Sequence, residues 1–309
     1  MPVAPASPPE VLVEGLTKRY GDLKAVDGIS FSIAKGEIFG LVGPNGAGKT
    51  TTLEILEGLR PCDAGTLTVA GVDVRRDAKA LRQLIGVQLQ ATALFERLTV
   101  LETLEVFGAL YERSLPGTDL LKMVHLEEKE DEWTEKLSGG QRQRLAVALA
   151  LVNDPRVVFL DEPTTGLDPQ ARRSLWEVIA DLRRTGKTIL LTTHYMEEAE
   201  RLCDRVAIMD HGKILGLDTP RKLVLGLGQR NAVEFTASGD TGRFSGLPGV
   251  EDVQVEDGHV ILYTSQLEAT VGAVFQRAQT DGAGVEGLRI RGASLEDVFI
   301  QLTGRRIRE

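Results

Sequence analysis

Cysteine is scarce. Cys62 and Cys203 are the only two in 309 residues, far apart and at no metal-ligand spacing. The simple reading is a reduced, cytosolic compartment with both thiols as small buried residues. A long hydrophobic run is also missing. LAVALALV, residues 145–152, falls well short of the ~18 apolar residues of a membrane span, and Arg142 and Arg144 precede it. Any work at a membrane must therefore take its spans from another chain. MPVAPASPPE has neither a basic start nor an apolar block, so no signal peptide is expected, and residues 1–9 read as a disordered proline-rich tail. Positive charge is not in excess either: 36 Lys and Arg against 45 Asp and Glu leave a net charge of -9. That argues against a general grip on nucleic acid, and no nucleic-acid partner is expected.

What is present is an ordinary soluble composition, 42% hydrophobic and 26% charged, with room for one large domain and a small one. The strongest signal is EIFGLVGPNGAGKTTTLEILEGL. An apolar run (residues 38–42) feeds a glycine-rich turn, and a helix follows with Leu53, Ile55, Leu56 and Leu59. This is the strand–loop–helix setting that the GxxxxGK[ST] pattern requires. Gly43, Gly46 and Gly48 let backbone N–H groups converge on phosphate oxygens, and the helix start adds a favourable dipole. Lys49 brings a point charge to the outer phosphates, and the Thr50 hydroxyl can ligate Mg²⁺.

LSGGQ, residues 137–141, is a second glycine-rich turn before a helix, with Ser138 placed as its N-cap. One chain folded in one piece would struggle to bring both turns onto the same phosphates, so a second copy is implied. RVVFLDEP (residues 156–163) is a continuous apolar run ending in two acids, as expected of a strand buried on both faces of a parallel sheet. Such acids are costly unless they face a metal or a reactive water. Asp161 is assigned to Mg²⁺ and Glu162 to the attacking water. KTILLTTH is another buried strand, with His194 at its carboxyl end. Gln90 closes the strand IGVQLQ, and on its own reads as either a solvent-facing polar residue or part of the site.

Around these motifs, residues 11–36 read as short strands with turns. Tyr20, before Gly21-Asp22, can stack on a flat base or cap the small sheet. Residues 98–153 are helical in pattern, with Thr99 and Glu102 spaced as a capping box and HLEEKEDEWTEK as a solvated helix face. From about residue 226 no nucleotide motif remains. Strands, a hairpin at Asp257-Gly258, and helices, one capped by Ser294 and Asp297, suggest a small α+β accessory domain.

With all five motifs in this order over residues 11–223, the chain resembles the nucleotide-binding subunit of ABC transporters. TTHYMEEAERLCDRVAIMDHGKI and GASLEDVFIQLTGR resemble the ABC-2 type, daunorubicin-resistance-like export branch. The resemblance implies an α/β P-loop NTPase, with a RecA-like core, an antiparallel β subdomain and a helical subdomain at about 91–153. This domain would span 10–223, with the accessory domain at 224–309. It implies ATP and Mg²⁺, adenine stacking on Tyr20, and contact of Val26 with base or ribose. Gly43, Pro44, Asn45, Gly46, Ala47, Gly48, Lys49, Thr50 and Thr51 would form the phosphate cradle. Thr50, Gln90 and Asp161 would serve the metal, and Gln90 would also signal to the membrane partner. Ser138, Gly139, Gly140 and Gln141 would grip the nucleotide held by the opposite protomer, and Asp168 would reach across that dimer. Glu162 would be the base and His194 would hold the γ-phosphate. Thr165 departs from the serine that many relatives carry. The function implied is a Mg-dependent ATPase that energises drug-, antibiotic- or lipid-like efflux. It would act as a homodimer closed over ATP, on a separate transmembrane permease at the cytoplasmic face of the membrane. The rival reading is a soluble ABC ATPase acting on ribosomes or DNA. Such proteins usually carry two cassettes, or coiled-coil or zinc insertions, and this chain shows neither.

Overall fold

Fully apolar runs, alternating runs and helical repeats follow one another in this chain, and each builds a different layer. The computed structural model describes residues 8–88, 94–226, 231–237, 241–256, 258–281 and 284–304. They divide into two units, one ending at Pro220 and the other running Arg221–Gly304.

The first unit opens with an antiparallel hairpin, β1 (Val11–Tyr20) and β2 (Leu23–Ile33). These are two long strands rather than several short ones. Gly15 and Gly28, at φ 62° and 71°, take up the register shifts that a residue with a Cβ would resist. β3 (Ile38–Val42) leads into α1 (Lys49–Leu56), and β4 (Ala64–Val69) and β5 (Val72–Asp73) extend the hairpin to a four-stranded sheet, β2-β1-β4-β5. After α2 (Ala78–Leu84) and β6 (Ile85–Gln88) come α3 (Val100–Gly108), α4 (Gly117–Met123) and α5 (Gly139–Leu149). The remainder alternates: β7 (Val157–Asp161), α6 (Pro169–Arg184), β8 (Thr188–Thr193), α7 (Met196–Leu202), β9 (Arg205–Asp210) and β10 (Lys213–Asp218).

The second sheet has the order β10-β9-β3-β8-β7-β6, parallel except for β10. β3, β7 and β8 are buried along their whole length, which is why they read as unbroken apolar runs. Phe31 of one sheet stacks on Phe39 of the other at 5.1 Å, and Leu41, Leu53, Leu56 and Phe159 complete the shared core. Each such fully buried side chain stabilises the fold by about 1.5–3 kcal/mol.

α3 begins with the expected capping box: Thr99 N–H donates to Glu102 Oε2 at 2.8 Å, and Glu102 N–H to Thr99 Oγ1 at 3.1 Å. HLEEKEDEWTEK is not the α-helix that its polarity suggests. It makes two single 3₁₀ turns, Glu127–Lys129 and Thr134–Lys136. Its carbonyls are used elsewhere: those of Glu132 and Glu130 accept from Val100 and Leu101, the first N–H groups of α3. Cys62 is half-buried and Cys203 buried.

The second unit takes in most of α8 (Pro220–Leu225) and then β11 (Asn231–Ala237), β12 (Val250–Glu256), β13 (His259–Thr264), α9 (Leu267–Asp281), β14 (Val285–Gly292) and α10 (Leu295–Thr303). Its antiparallel sheet, β12-β13-β11-β14, buries Val233, Phe235, Leu262 and Val274 in a core of its own. Asp257 of the expected hairpin turn lies outside the described residues, but Glu256 pairs with His259 across it. At the start of α10, Asp297 accepts from Ser294 N–H at 2.7 Å and from Tyr263 O–H at 2.6 Å, and pairs with Arg291. Burial raises the Asp297 carboxyl, but Arg291 and Tyr263 overcome this and hold it below its ordinary value.

Candidate nucleotide site

The site grows out of strand register. Val42 lies opposite Thr193 and Asp161 opposite Thr192, so Gly43, Glu162 and His194 leave the sheet at one level, at the carboxyl edge where α/β sheets bind ligands. Gly43 follows β3 where a Cβ would sit 2.0 Å from the carbonyl oxygen of Met209. Gly48 caps α1 at φ 105°, where a Cβ would meet the Ala25 carbonyl at 2.3 Å. Gly46, at φ 79°, has open space around it, and its requirement is conformational alone.

Lys49 is buried and its Nζ donates to the carbonyls of Gly43 (2.7 Å) and Pro44 (3.0 Å). It also lies 3.2 Å from Glu162 Oε1. On the other oxygen, His194 Nδ1 approaches Glu162 Oε2 to 3.3 Å, off the line of a hydrogen bond, so that contact is one of charge when the ring is protonated. Thr165 Oγ1 donates to the same oxygen at 3.2 Å. With His194 against it, and Lys49 opposing the cost of burial, the Glu162 carboxyl is held below its ordinary value. Burial pushes the Lys49 ammonium below its ordinary value, against the pull of Glu162.

Glu162 has a φ of 47°, a left-handed conformation unusual for a residue with a long side chain. Its N–H donates to the Thr192 hydroxyl (3.0 Å) and the Thr192 carbonyl (3.2 Å), and the same hydroxyl donates to Asp161. Thr192 therefore fixes both acids. Its position in the buried run LLTTH carried a usable signal, since a hydroxyl at the end of a core strand needs a partner.

Thr50 Oγ1 lies 3.3 Å from Asp161 Oδ1. Burial raises the Asp161 carboxyl, and its bonds from Thr192 and Thr50 only partly offset this, so a cation beside it would be welcome. Mg²⁺ asks a protein for one or two oxygen donors and takes the rest from phosphate and water, a demand that Thr50 and Asp161 meet. Among the described residues no group of three or more His, Cys, Asp or Glu side chains forms a metal cage, as such a shared site would not require. Gln90 lies outside the described residues.

The other expected contacts come from other elements. Tyr20 is 41% exposed, with Lys18 Nζ 5.5 Å and the Arg60 guanidinium 5.6 Å from its ring centroid. Val26 is fully buried in the core and presents no surface to a ligand. Ser138 and Gln141 close a capping box: Gln141 N–H donates to Ser138 Oγ (3.3 Å), and Ser138 N–H to Gln141 Oε1 (2.9 Å). The Ser138 hydroxyl proton is left to donate elsewhere. Gly139 is exposed, and a Cβ on Gly140 would sit 2.8 Å from that of Ala171 in α6. Asp168 caps α6, accepting from Gln170 and Ala171 N–H at 2.9 Å each.

Glu57, at the end of α1, bears no mark of burial in the local sequence. It is buried with neither carboxylate oxygen hydrogen-bonded, and burial, with Asp161 and Glu54 nearby, pushes its carboxyl up to about 8.

Comparison with known proteins agrees with this geometry. The family profile described as ABC transporter matches residues 26–165, and that of the ATP-binding protein DrrA1-3-like C-terminal domain matches residues 228–303. The Nod factor export ATP-binding protein I of Ralstonia nicotianae is 44% identical, covering 98% of this chain and 96% of that protein. Its counterpart in Rhizobium meliloti is 42% identical over 99% and 92%. Among solved structures, cbiO1 from Clostridium perfringens, part of an ABC transporter complex, matches with a TM-score of 0.64 at 30% identity, covering 70% of this chain and 90% of that one. A dimeric ATP-binding cassette in a post-hydrolysis state with ADP and Pi matches at 0.60 and 27%, covering 68% and 98%. The chain thus belongs to the ABC transporter family, as an ATP-binding, ATP-hydrolysing subunit of the branch that carries the DrrA1-3-like C-terminal domain.

Proposed function

We propose that this chain drives an ABC-2 type exporter at the cytoplasmic face of a membrane, two copies closing head to tail over two ATP molecules against a separate permease. The observation that carries the reading is the convergence of Lys49, Thr50, Asp161, Glu162 and His194 at one sheet edge. Lys49 is folded onto its own loop and onto Glu162. ATP phosphates compete for that ammonium, and as Lys49 turns to them Glu162 loses a partner that suppresses its basicity. Glu162 then takes the proton of the attacking water, while His194 and Lys49 face the charge on the outer phosphate. Mg²⁺, held by Thr50 and Asp161 and served by Gln90, would neutralise phosphate charge.

Across the dimer, the Ser138 hydroxyl, the N–H groups of Gly139 and Gly140, and Gln141 would meet the partner's nucleotide, with Asp168 beside them. Tyr20, already flanked by cations, would stack on adenine with its exposed face. ATP drives closure only to the extent that it binds the closed pair more tightly than the open one. Among the described residues no helix is long and apolar enough to cross a membrane. Exposed Phe95, Val106 and Leu110 around α3 offer an apolar surface for the permease. The relatives' names point to Nod factor, and the C-terminal profile to DrrA proteins; the shared reading brought to this chain is efflux of a drug- or lipid-like cargo.

The test is a pull-down of tagged Glu162→Gln protein from detergent-solubilised cells with ATP. A stoichiometric polytopic membrane protein supports the exporter. Ribosomes or DNA-repair proteins in its place would move the reading to a soluble ATPase. The same variant should hold ATP as a dimer without turning it over, and normal turnover would refute Glu162 as the base.

A further inference from the structure

Behind the site lies a second buried carboxylate that the chemistry above does not use. Glu198, in the first turn of α7, is fully buried. Its Oε1 accepts from the indole N–H of Trp176 at 2.8 Å, which ties α7 to the middle of α6. The hydroxyls of Thr193 and Thr164 flank the same carboxylate. Thr193 immediately precedes His194, and Thr164 stands two residues after Glu162. Glu198 Oε2 and Thr164 Oγ1 are nevertheless both buried without a well-aligned partner, so the cluster stops short of full closure. A second contact runs parallel to the first: the Arg172 guanidinium lies over the Tyr195 ring at 4.1 Å, and that ring in turn packs against His194 with centroids 4.1 Å apart. Arg172 Nε is also buried and unbonded.

A carboxylate inside an apolar contact is costly, and one hydrogen bond does not offset it. For helix-to-helix packing alone, a leucine would serve better at this position. What the carboxylate adds is direction, since it holds the indole of α6 by one bond while three separate segments meet around it. Those segments are α6, which Asp168 caps; the residues after β7, which carry Glu162; and the end of β8, which His194 follows.

We propose that Glu198 is a positioning residue for ATP hydrolysis, holding α6 through Trp176 against the segments that present Glu162 and His194. The inference rests on the roles assigned to those two residues above. It requires that loss of the Trp176–Glu198 bond slow turnover far more than it loosens the grip on ATP, because His194 is only one of the assigned phosphate contacts and the phosphate loop lies outside the cluster. A displacement of about 1 Å at a reacting group can cost on the order of a hundredfold in rate.

The experiment uses the full-length chain and compares Glu198→Leu, Trp176→Phe and Glu198→Gln, assayed well below each thermal midpoint after folding is confirmed by circular dichroism. Glu198→Leu and Trp176→Phe are expected to lower kcat roughly tenfold with the KM for ATP within about twofold. Glu198→Gln, whose amide oxygen can still accept from the indole, is expected to recover most of the rate. Parental kcat in both disruptive variants overturns the proposal, as does a Glu198→Gln variant as slow as Glu198→Leu. If Glu198→Leu does not fold, Trp176→Phe, which removes one N–H from a folded core, decides the matter alone. Glu162→Gln runs alongside. Should it still turn over ATP, the assignment of the base has failed, and the Glu198 variants still report on their own bond.

Discussion

Glu162 is the residue on which most of the site's physics meets. Its backbone is held left-handed, its N–H is bonded twice by Thr192, and its carboxylate sits among Lys49, His194 and Thr165. Conformational cost of this kind persists only where the surroundings over-determine it, and here they do. Glu57 is its opposite, a buried carboxylate with neither oxygen bonded and a carboxyl raised to about 8. A group whose native value is raised holds its proton in the folded state when the unfolded chain has already lost it. Its contribution therefore destabilises progressively from its ordinary value near pH 4.5 up to about pH 8. Glu57→Gln should match the parent near pH 4 and become the more stable protein as pH rises. The gap should widen by at most about 1.4 kcal/mol per pH unit. Urea unfolding at pH 5, 7 and 8.5 measures it, and a gap independent of pH would show that Glu57 ionises freely in the native state.

Among the elements, the contact between α5 and α6 is set by an absent side chain. Gly140 lets the helix after LSGGQ approach α6 so closely that a Cβ would meet that of Ala171 at 2.8 Å. Gly140→Ala should therefore cost about 1–3 kcal/mol by overpacking, and Gly140→Ala with Ala171→Gly should recover part of that. Chemical denaturation of the three proteins checks this, and simple additivity of the two changes would mean that they do not touch. The sequence carried one reason for this glycine, access to phosphate, and hid the other, because a packing partner 31 residues away leaves no local mark. The same limit explains the rest. Buried strands, the phosphate loop, the capping box at Thr99 and the N-cap at Ser138 were legible, since each is decided within a few residues. The 3₁₀ turns at Glu127–Lys129 and Thr134–Lys136 were not, because the carbonyls of Glu130 and Glu132 between them are taken by the first N–H groups of α3, a partner distant in sequence. Glu57 and Glu198 were equally hidden, as a glutamate on a short helix reads as a surface residue until its neighbours are known.

At the scale of the molecule, each unit has its own sheet and its own core. Every residue of the candidate nucleotide site lies in the first. A chain ending at residue 223 should fold and bind ATP with close to parental affinity, and residues 221–304 alone should unfold cooperatively. Calorimetry and an ATP titration test both statements. A folded first unit that no longer binds ATP would give the second unit a direct part in the nucleotide site.

The chain has only two tryptophans, and they report on different places. Trp176 is 3% exposed with its N–H on Glu198, whereas Trp133 is 47% exposed beside Lys136 in the arm that leads to LSGGQ. Emission from the first should be blue-shifted and shielded from iodide, and emission from the second red-shifted and readily quenched. The protein therefore comes with two built-in optical probes. Titrating ATP while following each component would reveal, without any label, whether the interior contact or the outer arm moves first.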